Sequence, residues 1–203
     1  MNKIKTPRSR CNLLIPAIIS LFLFIILLLL VSLGLTNSVD QSISYFFISI
    51  QTNLLVSIFI LITSICSTIG IVVVGIVIAI YFYLLNKLKD LKTIVLLVFT
   101  ELIFVYIIKH IISRTRPVNE IIQQTNFSFP SGHAAISIVL FGFLVVFFWN
   151  RKRYVSYLLG ILILLIGFSR IYLNVHWLTD VIGGYLIGST ILLFGLYFLK
   201  RIK

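Results

Sequence analysis

The segment LLIPAIISLFLFIILLLLVSLGL, Leu13 to Leu35, runs for 23 residues without a charge. A helix rises about 1.5 Å per residue and needs about 20 apolar residues to cross a hydrocarbon core of about 30 Å. The stretch can therefore span a bilayer, whereas the apolar part of a cleaved signal peptide runs to roughly 7–15 residues. Gly34-Leu35-Thr36 is also a poor cleavage site, so we expect the segment to be kept as a first span. The same reading extends outward to Thr93–Ile112, Gly132–Trp149, Tyr154–Leu173 and Trp177–Leu199. Over all 203 residues, 60% are hydrophobic and only 11% charged, against roughly a quarter charged in a soluble domain. Such a chain cannot coat a water-facing surface of its own size. A soluble enzyme, a disordered regulator and a secreted disulfide scaffold are excluded. Cys11 and Cys66 fit no metal-binding spacing.

The formal net charge of +12 would suit a nucleic-acid binder, but its distribution does not. Thirteen of the 17 basic residues fall in four clusters between apolar runs: Lys3/Lys5/Arg8/Arg10, Lys87/Lys89/Lys92, Arg151/Lys152/Arg153 and Lys200/Arg201/Lys203. That is the positive-inside pattern of a multi-span protein, in contact with a lipid bilayer and not with nucleic acid. The run Leu54–Leu85 would reach about 48 Å as one straight helix, too long for one upright span. Parity decides its share. The first two basic clusters belong on one side, so with Leu13–Leu35 as one crossing this run supplies one more. We read residues 41–63 as an interfacial segment before a span near Ser64–Leu85. The expected fold is an all-α, six-span membrane protein with both termini in the cytoplasm, and residues 1–203 forming a single domain.

Four basic residues lie outside the clusters: Lys109, Arg114, Arg116 and Arg170. With them stand all three histidines, His110, His133 and His176. In a six-span topology every one falls at the outer ends of spans three to six, where positive charge is normally depleted. Each alone has an ordinary explanation as a snorkelling, lipid-contacting or aromatic-belt residue. Together they fit one chemical plan. A phosphate ester needs several cationic donors, and Lys109, Arg116 and Arg170 supply three. Ser131, Gly132 and His133 open a span, where backbone amides and the helix dipole favour an anion. His176 and Asp180 are four apart, on one helix face if the last span starts near Asn174. A carboxylate on one imidazole nitrogen fixes the tautomer and frees the other to attack. His176 is thus the candidate nucleophile, Asp180 its orienter, and His133 a proton donor to the leaving alcohol. The acidic residues form no metal cage, so neither metal nor cofactor is expected.

Three motifs carry a resemblance to a known family: Lys109-HIISRT-Arg116-Pro117, Pro130-Ser131-Gly132-His133, and Ser169-Arg170-IYLNV-His176-WLT-Asp180. At these spacings and in this order the chain resembles the type 2 phosphatidic acid phosphatase family, relatives of the vanadium haloperoxidases. The resemblance implies that Lys109, Arg116, Ser131, Gly132 and Arg170 hold phosphate, that His176 forms a phosphohistidine supported by Asp180, and that His133 protonates the leaving group. It also implies a membrane lipid phosphate as substrate: undecaprenyl pyrophosphate or phosphatidylglycerophosphate, with phosphatidic acid a further candidate. The setting would be the outer face of a bacterial plasma membrane.

Arg114 and His110 lie outside the signature and read as loop or packing residues. Glu101, midway along the third span, reads as a packing residue or a partner in a helix–helix hydrogen bond. Only the 12 residues Val118–Phe129 separate the first two motifs, too few for a large lid. A lipid phosphotransferase would share the phosphohistidine step and differ in the acceptor. A transporter or anion-binding membrane protein is the alternative from another class, but its site would lie near the midplane.

Overall fold

A computed structural model describes residues 8–199, and every regular element in that range is a helix. Lys3, Lys5 and the cluster Lys200/Arg201/Lys203 lie outside the described residues, as do the side chains of Arg8, Arg10 and Cys11. The elements are α1 (Arg8–Ser32), α2 (Asn37–Ser49), α3 (Asn53–Ser64), α4 (Thr68–Leu84), α5 (Leu88–Ile112), α6 (Gly132–Phe148), α7 (Arg153–Tyr172) and α8 (Leu178–Leu199). Among the described residues, four stretches are long and apolar enough to cross a membrane: Leu13–Ser32 in α1, and the whole of α5, α7 and α8. The pair α3 and α4 makes a fifth crossing if taken as one span bent by 50°. Residues 41–63, expected from sequence to be an interfacial segment, fall largely in α2 and α3, and Ser64–Leu85, expected to be the next span, contains α4, which is long enough to cross only when joined to α3.

Local chemistry sets the ends of these elements. The side chain of Thr52 accepts from Leu55 N–H at the start of α3, and that of Ser67 from Gly70 N–H at the start of α4. Each satisfies an amide the helix cannot. Ser113 ends α5 in the left-handed region at φ 49°. Asn174 turns the chain after α7 at φ 54°, a conformation asparagine tolerates better than most residues.

Helix α6, 17 residues long, is the axle of the fold, packed against α5, α7 and α8, while α1 packs along α8. Lipid tails are as apolar as leucine, so burying apolar surface does not drive such helices together; close packing does. Gly184 and Gly188 of α8 form a GxxxG pair facing α6. A Cβ at Gly184 would stand 2.4 Å from the Ser131 carbonyl oxygen, and one at Gly188 would stand 2.6 Å from that of Ala135. Backbone meets backbone there, which fixes the start of α6 against the start of α8. Gly188→Val is therefore expected to destabilise the protein by about 1–3 kcal/mol. A lowered melting temperature in detergent would show it, and an unchanged one would contradict this packing.

Candidate active site

The first turns of α6 and α8, the last turns of α5 and α7, and the two loops joining them meet at one end of the bundle. Lys109 comes from the last turn of α5 and Arg170 from that of α7. Arg116 lies in the loop after α5, and Gly132 and His133 begin α6. His176 lies in the turn between α7 and α8. All six line one cavity of about 260 Å³, together with Glu101, Gln124, Asn126 and Cys66 among others. Ser131 and Asp180 stand behind the wall, both fully buried. The Ser131 amide donates to the Asp180 carbonyl at 2.9 Å, and its hydroxyl is buried without a partner.

Helix α8 begins at Leu178, so His176 precedes it and does not share a helix face with Asp180 as the sequence spacing suggested. The chain leaves α7 in a tight turn, with Val175 and His176 amides both donating to the Arg170 carbonyl. The pair still meets. His176 Nδ1 lies 3.4 Å from Asp180 Oδ2, which also accepts from Trp177 N–H at 2.9 Å and from the Ser128 hydroxyl. With Nδ1–H directed at that carboxylate, Nε2 keeps its lone pair and faces the cavity, 3.3 Å from Arg116 Nη1.

The cations are held differently. Lys109 Nζ donates to the Phe127 and Ser128 carbonyls at 2.5 and 3.2 Å. Arg116 is pinned by the Asn126 and Val175 carbonyls at 2.8 and 2.6 Å. Arg170, only 2% exposed, gives Nη1 to Thr63 at 2.9 Å, and its Nε and Nη2 are buried with no partner. Buried donors of a guanidinium left unpaired are uncommon in folded proteins. Two such donors beside a lysine, a second arginine and a helix N-terminus have the chemistry to hold a tetrahedral oxyanion.

A family model described as the PAP2 superfamily matches residues 90–203. The chain is 30% identical over 194 residues to phosphatidylglycerophosphatase B of Bacillus subtilis, covering 91% of this chain and 96% of that protein. The chain belongs to the PAP2 superfamily. It is a membrane protein of the phosphatase type. An undecaprenyl-diphosphatase of Sulfolobus acidocaldarius is 36% identical over 91 residues, covering 41% of this chain and 42% of that protein. The crystal structure of the transmembrane PAP2-type phosphatidylglycerolphosphate phosphatase from Bacillus subtilis superposes with a TM-score of 0.85 at 25% identity, covering 92% of this chain and 97% of that one.

Two residues of this PAP2 protein depart from their sequence reading. Arg114 is no mere loop or packing residue: its Nη1 bonds Asp180 Oδ1 at 2.7 Å and its Nη2 bonds Asp40 Oδ2 at 2.6 Å. Asp40, on α2 and 1% exposed, also accepts from the amide and hydroxyl of Thr179 at 3.0 and 2.6 Å. Asp40 was missed altogether. It sits among polar residues, Thr36-Asn37-Ser38-Val39-Asp40-Gln41-Ser42, so no local pattern marks it. Glu101 forms no helix–helix hydrogen bond through Oε2, which is buried without a partner, and the residue lines the cavity. His110, by contrast, is exposed, stacks on Tyr106 and stays outside the cavity wall.

Removing Arg114 would strand two buried carboxylates, so Arg114→Gln is expected to lower stability by about 3–5 kcal/mol. Because Asp40 and Arg114 form one chain of contacts, the Asp40→Asn, Arg114→Gln double variant should lose less stability than the two singles added together. Denaturant unfolding of the four proteins in detergent measures this, and strict additivity would show the contacts to be uncoupled.

Proposed function

We propose that this protein hydrolyses lipid phosphate or pyrophosphate esters through a phosphohistidine on His176. The observation that carries the reading is the convergence of Lys109, Arg116, Gly132, His133, Arg170 and His176 on one cavity. His176 Nε2 attacks phosphorus in line, the bond to the ester oxygen breaks, and that oxygen takes a proton from His133. Lys109, Arg116 and Arg170 hold the equatorial oxygens, on which charge is spread during transfer. Arg116 must exchange its contact with Nε2 for one with phosphate as the substrate enters. Ser131 acts from behind, anchoring the first turn of α6, whose Gly132 and His133 amides have no acceptor within the helix. Water then attacks the phosphohistidine, His133 takes back a proton, and phosphate leaves with His176 restored. Asp180 stays ionised between Arg114 and the imidazole. The carboxylate beside the histidines is fully occupied by protein donors, so the residues present call for no metal or cofactor.

The chain is proposed to be one six-span domain over residues 1–203. The bent pair α3–α4 would make one crossing. At 17 residues, α6 would make another, about 26 Å long at the lower end of what a bilayer accepts. The basic clusters then lie in the cytoplasm of a bacterial cell and the site faces the other side, with α2 in the interface beside it. The names of the two relatives support phosphatidylglycerophosphate and undecaprenyl pyrophosphate as substrates, with phosphatidic acid a third candidate.

Purified protein should release free phosphate from at least one of these three lipids without an added lipid acceptor. His176→Ala is expected to lose about 10³-fold or more in rate while inserting normally. Substantial residual turnover would remove His176 from its role, and phosphate appearing only on a second lipid would make the protein a transferase. The pH profile gives an independent check. Burial foremost, then Arg116, Arg170 and Lys109, hold the His176 imidazole well below its ordinary value. A lowered value keeps the imidazole neutral and nucleophilic into mildly acid solution. After correction for the substrate's own ionisation near pH 6, and because His133 must carry a proton to act as the acid, kcat/KM should not fall as pH drops through about 6.5, any loss from protonating His176 coming only below it. A decline centred at or above that pH would contradict the assignment.

A further inference from the structure

Glu101 has no part in the reaction just described, yet it shares the cavity. A carboxyl group midway along an apolar span is costly, and a buried oxygen without a partner adds to that cost. Glu101 is 1% exposed and its Oε2 has no partner. It follows Lys109 and Val105 at successive four-residue intervals on the buried face of α5. Gly132 fixes the level of the other wall, since a Cβ there would lie 3.8 Å from Val105 Cγ1. The start of α6, with His133 next in sequence, therefore sits level with Val105. Glu101 lies one turn deeper, about 6 Å further along the α5 axis. The neighbouring walls at that depth are apolar: Ile71, Leu102 and Ile136.

His133 protonates the departing oxygen, so the alcohol half of the substrate occupies the part of the cavity between His133 and Glu101. The geometry points to Glu101 as a subsite for that alcohol, its Oε2 accepting a hydrogen bond from a hydroxyl on a carbon next to the ester carbon. This inference rests on the lipid phosphatase reading and narrows it. The favoured class is a lipid phosphomonoester whose alcohol carries a free neighbouring hydroxyl, as the terminal glycerol of phosphatidylglycerophosphate does. A polyprenyl diphosphate would place its second phosphate there instead. That group carries no hydroxyl on a neighbouring carbon, so the subsite would give it no such preference.

The test compares two lipids that differ in one hydroxyl: a 1-acylglycerol 3-phosphate and its 2-deoxy analogue. Phosphate release is followed by the full-length protein in the same detergent micelles. The unaltered protein is expected to favour the hydroxylated lipid by about three- to tenfold in kcat/KM, the size of one hydrogen bond to a buried group. Within Glu101→Ala that preference should fall to about one. Glu101→Gln preserves the shape of the side chain and should reduce the preference, which covers the case that the alanine variant does not fold. Equal efficiency of the two lipids with the unaltered protein would overturn the subsite and leave the phosphatase reading intact. A preference that persists undiminished in both variants would do the same. No phosphate from either of these lipids or from the three named above would overturn both readings together.

Discussion

The carboxylate of Asp180 is fully buried, and the arrangement around it follows from keeping it charged. An ionised carboxylate away from water is stable only if donors take up its lone pairs. Here Arg114 takes one oxygen, while the Ser128 hydroxyl, the Trp177 amide and His176 Nδ1 share the other. Those donors come from the two ends of the α5–α6 loop and from the turn before α8. Satisfying one charge thereby draws both connections to one point. Asp40 extends the network to α2, because the guanidinium of Arg114 bridges both carboxylates. The result is an imidazole whose tautomer and direction are set from behind, with its free nitrogen turned towards the cavity.

The cavity itself concentrates positive charge in a low-dielectric setting, and the backbone makes that tolerable. Carbonyls of Phe127, Ser128, Asn126 and Val175 accept from Lys109 and Arg116. They offset the charge without removing it, since a carbonyl is a dipole and not a counter-ion. Arg170 is the exception, with one contact to Thr63 and two donors unmatched. Unmatched donors of this kind interact strongly with an anion where water is excluded.

Packing explains why the cavity lies at the end of the bundle and not within it. Gly184 and Gly188 bring the backbones of α8 and α6 together, which sets the start of α6 beside the first two turns of α8. On α5, Lys109 lies in the last turn beside those beginnings and Glu101 two turns below. One helix face thus supplies both the cationic rim and the acidic floor of the site.

The sequence by itself determined the solvent and singled out the residues that gather at one cavity. Uncharged runs such as Leu13–Leu35 require a bilayer, and Lys109, Arg116, His133, Arg170 and His176 stand out because charge and imidazole are so rare in such a chain. It also placed His176 beside Asp180, although through a helix face where the structure uses a turn. Only the tertiary structure decided the role of Arg114, whose two partners lie 74 and 66 residues away, and that of Asp40, which no local pattern marks. It alone turned Glu101 from a packing residue into part of the cavity wall. Periodicity and spacing record what a residue does within its own helix. Which buried charge meets which depends on how helices cross, and that is fixed by packing between segments distant in the chain.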